Sequence, residues 1–358
     1  MSYLLAFLGF IALIVLHEAG HFTAAKAVGM RVERFSLFFG PMLVKVRRGE
    51  TEYGIGPIPL GGYVKISGMN PHEELPPEVR PRAYFNQPVW KRILVILAGP
   101  AVNLLIAFLI LFGVYLAEGV LVPSSTVAPA SLVAPGSHYL KAGDRIVSVD
   151  GRRNLSITQI THEIASHRCP GRQSAGCVAQ TPVTLGVRRD GRLLTFHIRP
   201  RYDAKVGRMR IGFAFGYVTQ SLGATAAARE SVNKMWYVTE KTVSTVARIF
   251  EPKERRQLHG VVGGFKVTQQ VFAYSATDAL LTLALISLSL GVINLFPFLP
   301  LDGGHVFWAL AEKVRGRRIP FSVMERASAV GFVLIILVFV IGLSNDISTL
   351  TGRGFQVR

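Results

Sequence analysis

Two cysteines are all that occur in 358 residues. That scarcity excludes a disulfide-rich secreted scaffold and any zinc-finger or iron–sulfur module built on thiolates. Acidic residues are also few, 22 against 40 lysines and arginines, leaving a formal net charge of +18. Such a balance raises the question of nucleic acid. The basic residues are nevertheless scattered through the segments between apolar runs, and no basic motif interleaved with aromatics is present. No nucleic-acid partner is expected; attraction to anionic membrane lipid explains the charge more simply. A cleavable signal peptide is missing too. The first apolar run has no basic segment before it and no small-residue cleavage site before Lys26, so it reads as a retained span.

What the chain has in excess is hydrocarbon. Half of its residues (50%) are hydrophobic, and they concentrate in four long runs. The spacing predicts spans over 1–30, 92–118, 279–312 and 327–345, the last followed by a tail over 346–358. Lys26, Arg31 and Arg34 follow the first run, Lys91 and Arg92 precede the second, and Lys313, Arg315, Arg317 and Arg318 fall in a loop over 313–326. Basic flanks mark the cytoplasmic side, so both termini are expected outside.

The segment 31–91 alternates polar and apolar residues in "RVERFSLFFG", "MLVKVRRGETEYGIG" and "PLGGYVKISG", with a turn at Arg48-Gly49-Glu50. It reads as a small sheet at the cytoplasmic membrane surface, closed by the Pro-rich loop "NPHEELPPEVRPRAYFNQP". On the outer side, 119–203 reads as a compact β-rich module. Its "SLVAPGSHYLKAGDRIVSVDGRRN", with the turn Ala142-Gly143-Asp144, resembles the core signature of PDZ domains, and a hairpin is expected around Asp190-Gly191. Both cysteines, Cys169 and Cys177, fall in this module, and on an oxidising face they are expected to pair. Within 204–278, Val232, Trp236, Thr239, Val243, Val246 and Phe250 recur at helical spacing. An amphipathic helix lying on the outer membrane surface, or packed on the β-rich module, is expected there.

The chemistry sits inside the first apolar run. In "LIVLHEAGHFTAAK", His17 and His21 are four apart and project from one helix face, a turn apart. Two imidazoles so placed hold one zinc ion, with Glu18 beside it as general base. An ionisable cluster within hydrocarbon is by default a functional site. About 14 apolar residues precede His17, roughly 21 Å of helix against a hydrocarbon core of about 30 Å, which places the cluster inside the membrane. Two histidines leave the site short of a ligand. Asp302, in "NLFPFLPLDGGH" after the helix-breaking Pro297 and Pro300, is the candidate, with His305 three residues on as its rival.

The HEAGH of the first span, the PDZ-like module between the second and third, and "NLFPFLPLDGG" resemble the site-2 protease family of intramembrane zinc metalloproteases. The single outward module is most similar to bacterial regulators of sigma-factor release. The resemblance covers nearly the whole chain and implies a polytopic α-helical membrane protein: four transmembrane helices, a membrane-associated β-loop and an extracytoplasmic β-rich PDZ-like domain. It implies one Zn2+ per chain on His17, His21 and Asp302, Glu18 as catalytic base, and substrate held by Asn294, Pro297 and Asn103 of the "GPAVN" element. The implied substrate is a transmembrane segment already trimmed by another protease, such as an anti-sigma factor or a remnant signal peptide. The implied location is the bacterial inner membrane. Two other readings are an inactive PDZ scaffold with structural zinc, which needs no base beside the metal, and a metal transporter, which predicts internal repeats and several polar positions per span. Glu18 is present, and neither of the transporter's features is seen.

Overall fold

A computed structural model describes residues 2–70, 72–129, 131–249, 251 and 261–351. The chain divides into two compact units, one of Met1–Tyr115 with Ala224–Arg358, the other of Leu116–Gly223.

Four helices of the first unit are long and apolar enough to cross a membrane among the described residues: α1 (Ser2–Ala27), α2 (Val89–Glu118), α6 (Ala276–Asn294) and α8 (Phe321–Thr351). At 1.5 Å per residue each is near or beyond the length of about 20 residues that spanning requires. Their outer faces carry bare apolar side chains, Phe332 to Val340 of α8 among them, which water does not favour and lipid does. Between α1 and α2 a four-stranded sheet runs in the order β2-β3-β1-β4, from β1 (Val32–Phe39), β2 (Val44–Arg48), β3 (Thr51–Ile55) and β4 (Ile58–Ile66). β2 and β3 form a hairpin whose last pair, Arg48 with Thr51, closes on Gly49-Glu50. β1 lies parallel to β3 and antiparallel to β4, so β4 presents a free edge. Met30, Val32, Ile66, Tyr84, Val95 and Ile96 are buried together and tie the sheet to the C-terminal end of α1 and the N-terminal part of α2.

The third apolar run is not one helix through 312. α6 ends at Asn294, residues 295–301 turn without helix, and α7 (Asp302–Arg315) begins at Asp302. Pro297 and Pro300 lack the N–H that a continuing helix needs and push the residue before each out of the helical region, which accounts for the break. The expected loop over 313–326 shrinks to a link over 316–320, because α7 continues to Arg315 and α8 starts at Phe321, six residues ahead of the expected 327.

α4 (Ala224–Ala247) occupies the region where an amphipathic helix is expected. Its buried side chains are Ala227 and Ser231, while Met235 and Val238 pack on Ala107 of α2 and on Leu288 and Val292 of α6. Trp236 is 72% exposed and Val232 55%, so the expected apolar stripe faces away from protein. Phe250, the last residue of that stripe, and 352–358 of the expected tail lie outside the described residues. A further helix, α5 (Val261–Tyr274), packs along α1, with Phe265 against Phe10.

The second unit is an antiparallel sheet in the order β12-β5-β6-β8-β9, with the short β7 (Arg152–Arg153) paired to β6. Its strands are β5 (Val120–Val127), β6 (Arg145–Val149), β8 (Val183–Arg189), β9 (Arg192–Ile198) and β12 (Phe215–Gln220), with β10 (Arg201–Asp203) and β11 (Arg208–Arg210) forming a separate pair. The helix α3 (Ile157–Ser166) is held at its start by a capping box between Ser156 and Gln159. Ile160 and Ile164 from α3 join Val127, Ile146, Val149, Leu185, Val187 and Ile198 in one core. Each such side chain stabilises the unit by about 1.5–3 kcal/mol. The unit runs past the expected boundary at 203, because β12 returns to pair with β5 at the far end of its sequence. Cys169 and Cys177 are joined in a disulfide beside Ala179 and Met209.

Asp144, the last residue of the Ala142-Gly143-Asp144 turn, is 1% exposed. It accepts 2.7 Å hydrogen bonds from Arg189 Nε and Nη2 and from the Lys141 backbone N–H. Burial by itself raises the carboxyl pKa, but the Arg189 and Lys141 bonds outweigh it and hold it below the ordinary range. A depressed folded-state pKa contributes stability above the unfolded value of about 3.9 and loses it as pH falls through the folded value. Asp144→Asn should therefore open β6 and β8 to hydrogen exchange by about 3 kcal/mol at pH 7. The gap between variant and wild type should begin to narrow below about pH 4 and close as pH falls through the depressed folded value. A gap that stays constant down to pH 2 would show that charge pairing is not what Asp144 contributes.

Candidate metal centre

His17 and His21 leave α1 on the same face and are each 8% exposed. Their Nε2 atoms lie 3.3 Å apart. Asp302, the first residue of α7, brings Oδ2 to 3.3 Å from both. The start of α7 reaches this point because Gly303 has no side chain: a Cβ there would sit 2.2 Å from the Leu295 carbonyl oxygen. A carboxylate in the first turn also suits the positive end of the helix dipole.

The three atoms form an equilateral triangle, and its size is informative. Tetrahedral ligands about 2.0–2.1 Å from a zinc ion are about 3.3–3.4 Å apart, so the triangle matches three corners and leaves the fourth open. Asp302 Oδ2 is buried and accepts no hydrogen bond from the described residues despite its two neighbours. A lone pair without a proton donor, facing two imidazole nitrogens, is what a cation resolves. The donor set therefore fits a metal. His305, the rival ligand, stands outside this cluster.

α2 shapes the other side of the histidines. His21 Nδ1 donates to the Val95 carbonyl oxygen at 2.9 Å, which leaves its Nε2 bare for a metal. Gly99 lies directly against the same ring, where any Cβ would come within 2.2 Å of His21 Nε2. Asn103, four residues on, is 0% exposed and sets its side-chain amide 3.1 Å from His17 Nδ1. Its backbone carbonyl accepts from Ser287 Oγ of α6 at 2.9 Å. Asn103 thus lies buried beside a histidine, where the sequence suggested a residue that holds substrate.

Glu18 is half-buried and points toward β4, its Cγ 2.9 Å from where a Cβ on Gly62 would lie. Its carboxylate takes no hydrogen bond from the described residues. Asn294 ends α6, half-buried and likewise without a hydrogen bond to its side chain among the described residues, and Pro297 is exposed in the turn that follows.

The model of peptidase family M50 matches residues 5–338. The chain belongs to that family. Its relatives include proteins of Clostridium acetobutylicum, 28% identical over 96% of both chains, and of Fusobacterium nucleatum, 28% identical over 97% of this chain and 98% of the other; both bear a zinc metalloprotease name. Zinc metalloprotease Rip1 of Mycobacterium tuberculosis is 28% identical over 84% of this chain and 83% of its own. This M50 peptidase is a zinc metalloprotease of the site-2 protease type.

Proposed function

We propose that this M50 peptidase cleaves transmembrane segments of membrane proteins in a bacterial inner membrane, after another protease has trimmed them. His17, His21 and Asp302 hold the zinc in this reading, and Glu18 is the base. The observation that carries it is the place of the triangle in the fold: two of its corners lie within a membrane-length helix, and the third starts α7, across the turn over 295–301 from the end of another such helix. The basic residues Lys26, Arg31, Lys91 and Arg318 cluster where α1 leaves, α2 enters and α8 begins, which favours a cytoplasmic position for those ends and an outer one for the Leu116–Gly223 unit and both termini. That unit, PDZ-like in its turn, helix and hairpin, serves to read the outer part of the substrate.

Zinc in such a site lowers the pKa of water and polarises a carbonyl. The rest falls to the protein. Glu18, with no competing hydrogen bond, accepts the proton of the attacking water and returns it to the leaving amine. A helical substrate offers no carbonyl, since each is bonded within its own helix. The free edge of β4 lies beside Glu18 and suits an unwound strand, which it would hold by backbone hydrogen bonds. The amide of Asn294, unpaired among the described residues, takes up backbone groups that unwinding frees.

A purified protein in lipid tests this with two transmembrane peptides, one an unbroken Leu/Ala helix and one loosened by Gly-Pro near the cut. Both should be cut within the apolar segment and spared when zinc is chelated. Asn294→Ala should lose about tenfold or more on the rigid peptide, from about 1–3 kcal/mol per unmade hydrogen bond, and less on the loosened one. Cleavage confined to soluble loops would sink the substrate class. Equal loss on both peptides with lowered thermal stability would make Asn294 structural.

A further inference from the structure

The amide of Asn103 carries an unanswered polar atom. Asn103 is 0% exposed, its Nδ2 lies 3.1 Å from His17 Nδ1, and its Oδ1 is buried with no hydrogen-bond partner among the described residues. For His17 Nε2 to offer a lone pair to the cation, the ring's proton must sit on Nδ1. That proton is then a buried donor and needs an acceptor. An amide nitrogen has none to give; the amide oxygen of the same residue has two lone pairs and no other use here. A half-turn of the Asn103 side chain exchanges the two atoms and places Oδ1 on His17 Nδ1.

We infer that Asn103 is a positioning residue that accepts the Nδ1 proton of His17 through Oδ1 and thereby fixes the tautomer in which His17 can ligate zinc. The inference rests on His17 being a zinc ligand. The two histidines are then held by one device applied twice. α2 supplies an oxygen acceptor to each Nδ1, the Val95 carbonyl to His21 at 2.9 Å and the Asn103 side chain to His17. A backbone carbonyl needs no particular residue, so only the second acceptor is legible as a side-chain requirement. Ser287 adds a brace, since its hydroxyl donates to the Asn103 carbonyl from α6 at 2.9 Å and holds that turn of α2 in place.

Asn103→Asp and Asn103→Leu separate acceptor from shape, because aspartate keeps an oxygen acceptor without a donor and leucine keeps only volume. The readout is zinc affinity of the full-length protein in detergent, measured by competition with a chromogenic chelator, with melting temperature of the zinc-free forms as a folding control. Asn103→Leu should weaken zinc by about 10–100-fold, the usual cost of losing the group that orients a ligating histidine. Asn103→Asp should stay within about threefold of wild type, since a carboxylate accepts the same bond. Loss in Asn103→Asp equal to that in Asn103→Leu would overturn the proposal, because it would mean that the amide acts as a donor. Unchanged affinity in Asn103→Leu would overturn it as well. Nitrogen NMR of 15N-histidine-labelled, zinc-free wild type reads the tautomer without any substitution at Asn103, with His17→Gln to assign the signal. A proton on His17 Nδ1 is expected, and one on Nε2 would reject the assignment. Should His17→Gln retain full zinc affinity, the ligand assignment itself fails, an outcome distinct from either Asn103 result.

Discussion

Glu18→Gln is expected to keep zinc at one per chain and to abolish cleavage of a transmembrane peptide. Glutamine has the volume and shape of glutamate and will occupy the same space against Gly62 of β4. None of the three atoms in the His17, His21 and Asp302 triangle comes from it, so metal content has no reason to change. What is lost is the proton acceptor. A positioned acid–base group contributes about 10²–10⁴-fold, and a residue that both takes the water proton and returns it to the amine acts in two steps. The fall in turnover should therefore reach at least about 10³-fold, with substrate binding retained. Zinc content by atomic emission and single-turnover cleavage of a labelled peptide measure the two halves separately. Turnover within tenfold of wild type would remove Glu18 from the chemistry. A zinc-depleted Glu18→Gln would instead make it a member of the ligand set.

Much of this arrangement was legible because its signals are local. The four-residue spacing of His17 and His21 within hydrocarbon, and the carboxylate of Asp302 just past Pro297 and Pro300, need no knowledge of the rest of the chain. The hairpin at Gly49-Glu50 is likewise written in adjacent residues. The misreadings arise where distant segments meet. β12 belongs with β5 across almost the whole Leu116–Gly223 unit, and nothing near residue 215 announces that pairing. The stripe of Val232 and Trp236 suggested a face for the membrane surface or the β-rich module, and it is small Ala227 and Ser231 that are buried against protein. In a lipid setting large apolar groups gain little from turning inward, whereas small ones let helices approach. The neighbour of Asn103 is hidden in the sequence for a related reason: only the crossing of α1 and α2 sets it beside His17.

That crossing yields the second large effect. Gly99→Ala adds a single methyl group, and by helix propensity alone it should stabilise α2 by about 0.5–1 kcal/mol. The site predicts the opposite for function. The new Cβ would stand 2.2 Å from His21 Nε2, 2.6 Å from Cε1 and 2.8 Å from Cδ2, inside the van der Waals surface of the whole ring edge. Retreat of the helices is blocked nearby, because α1 rests on the Ala98 carbonyl at Gly20, where a Cβ would already be 2.6 Å away. The imidazole is the part that must move. Turning it breaks the hydrogen bond to Val95 and carries Nε2 out of the triangle with His17 and Asp302. Zinc affinity should fall by more than the about 10–100-fold typical of a lost orienting partner, and peptide cleavage should fall with it. Gly113→Ala, on the same helix with nothing within 4 Å of its Cβ position, supplies the control. It should gain a little stability and keep both zinc and turnover. Chelator competition on the two purified variants decides the matter, and wild-type zinc affinity in Gly99→Ala would mean that His21 is not held against α2 in the working enzyme.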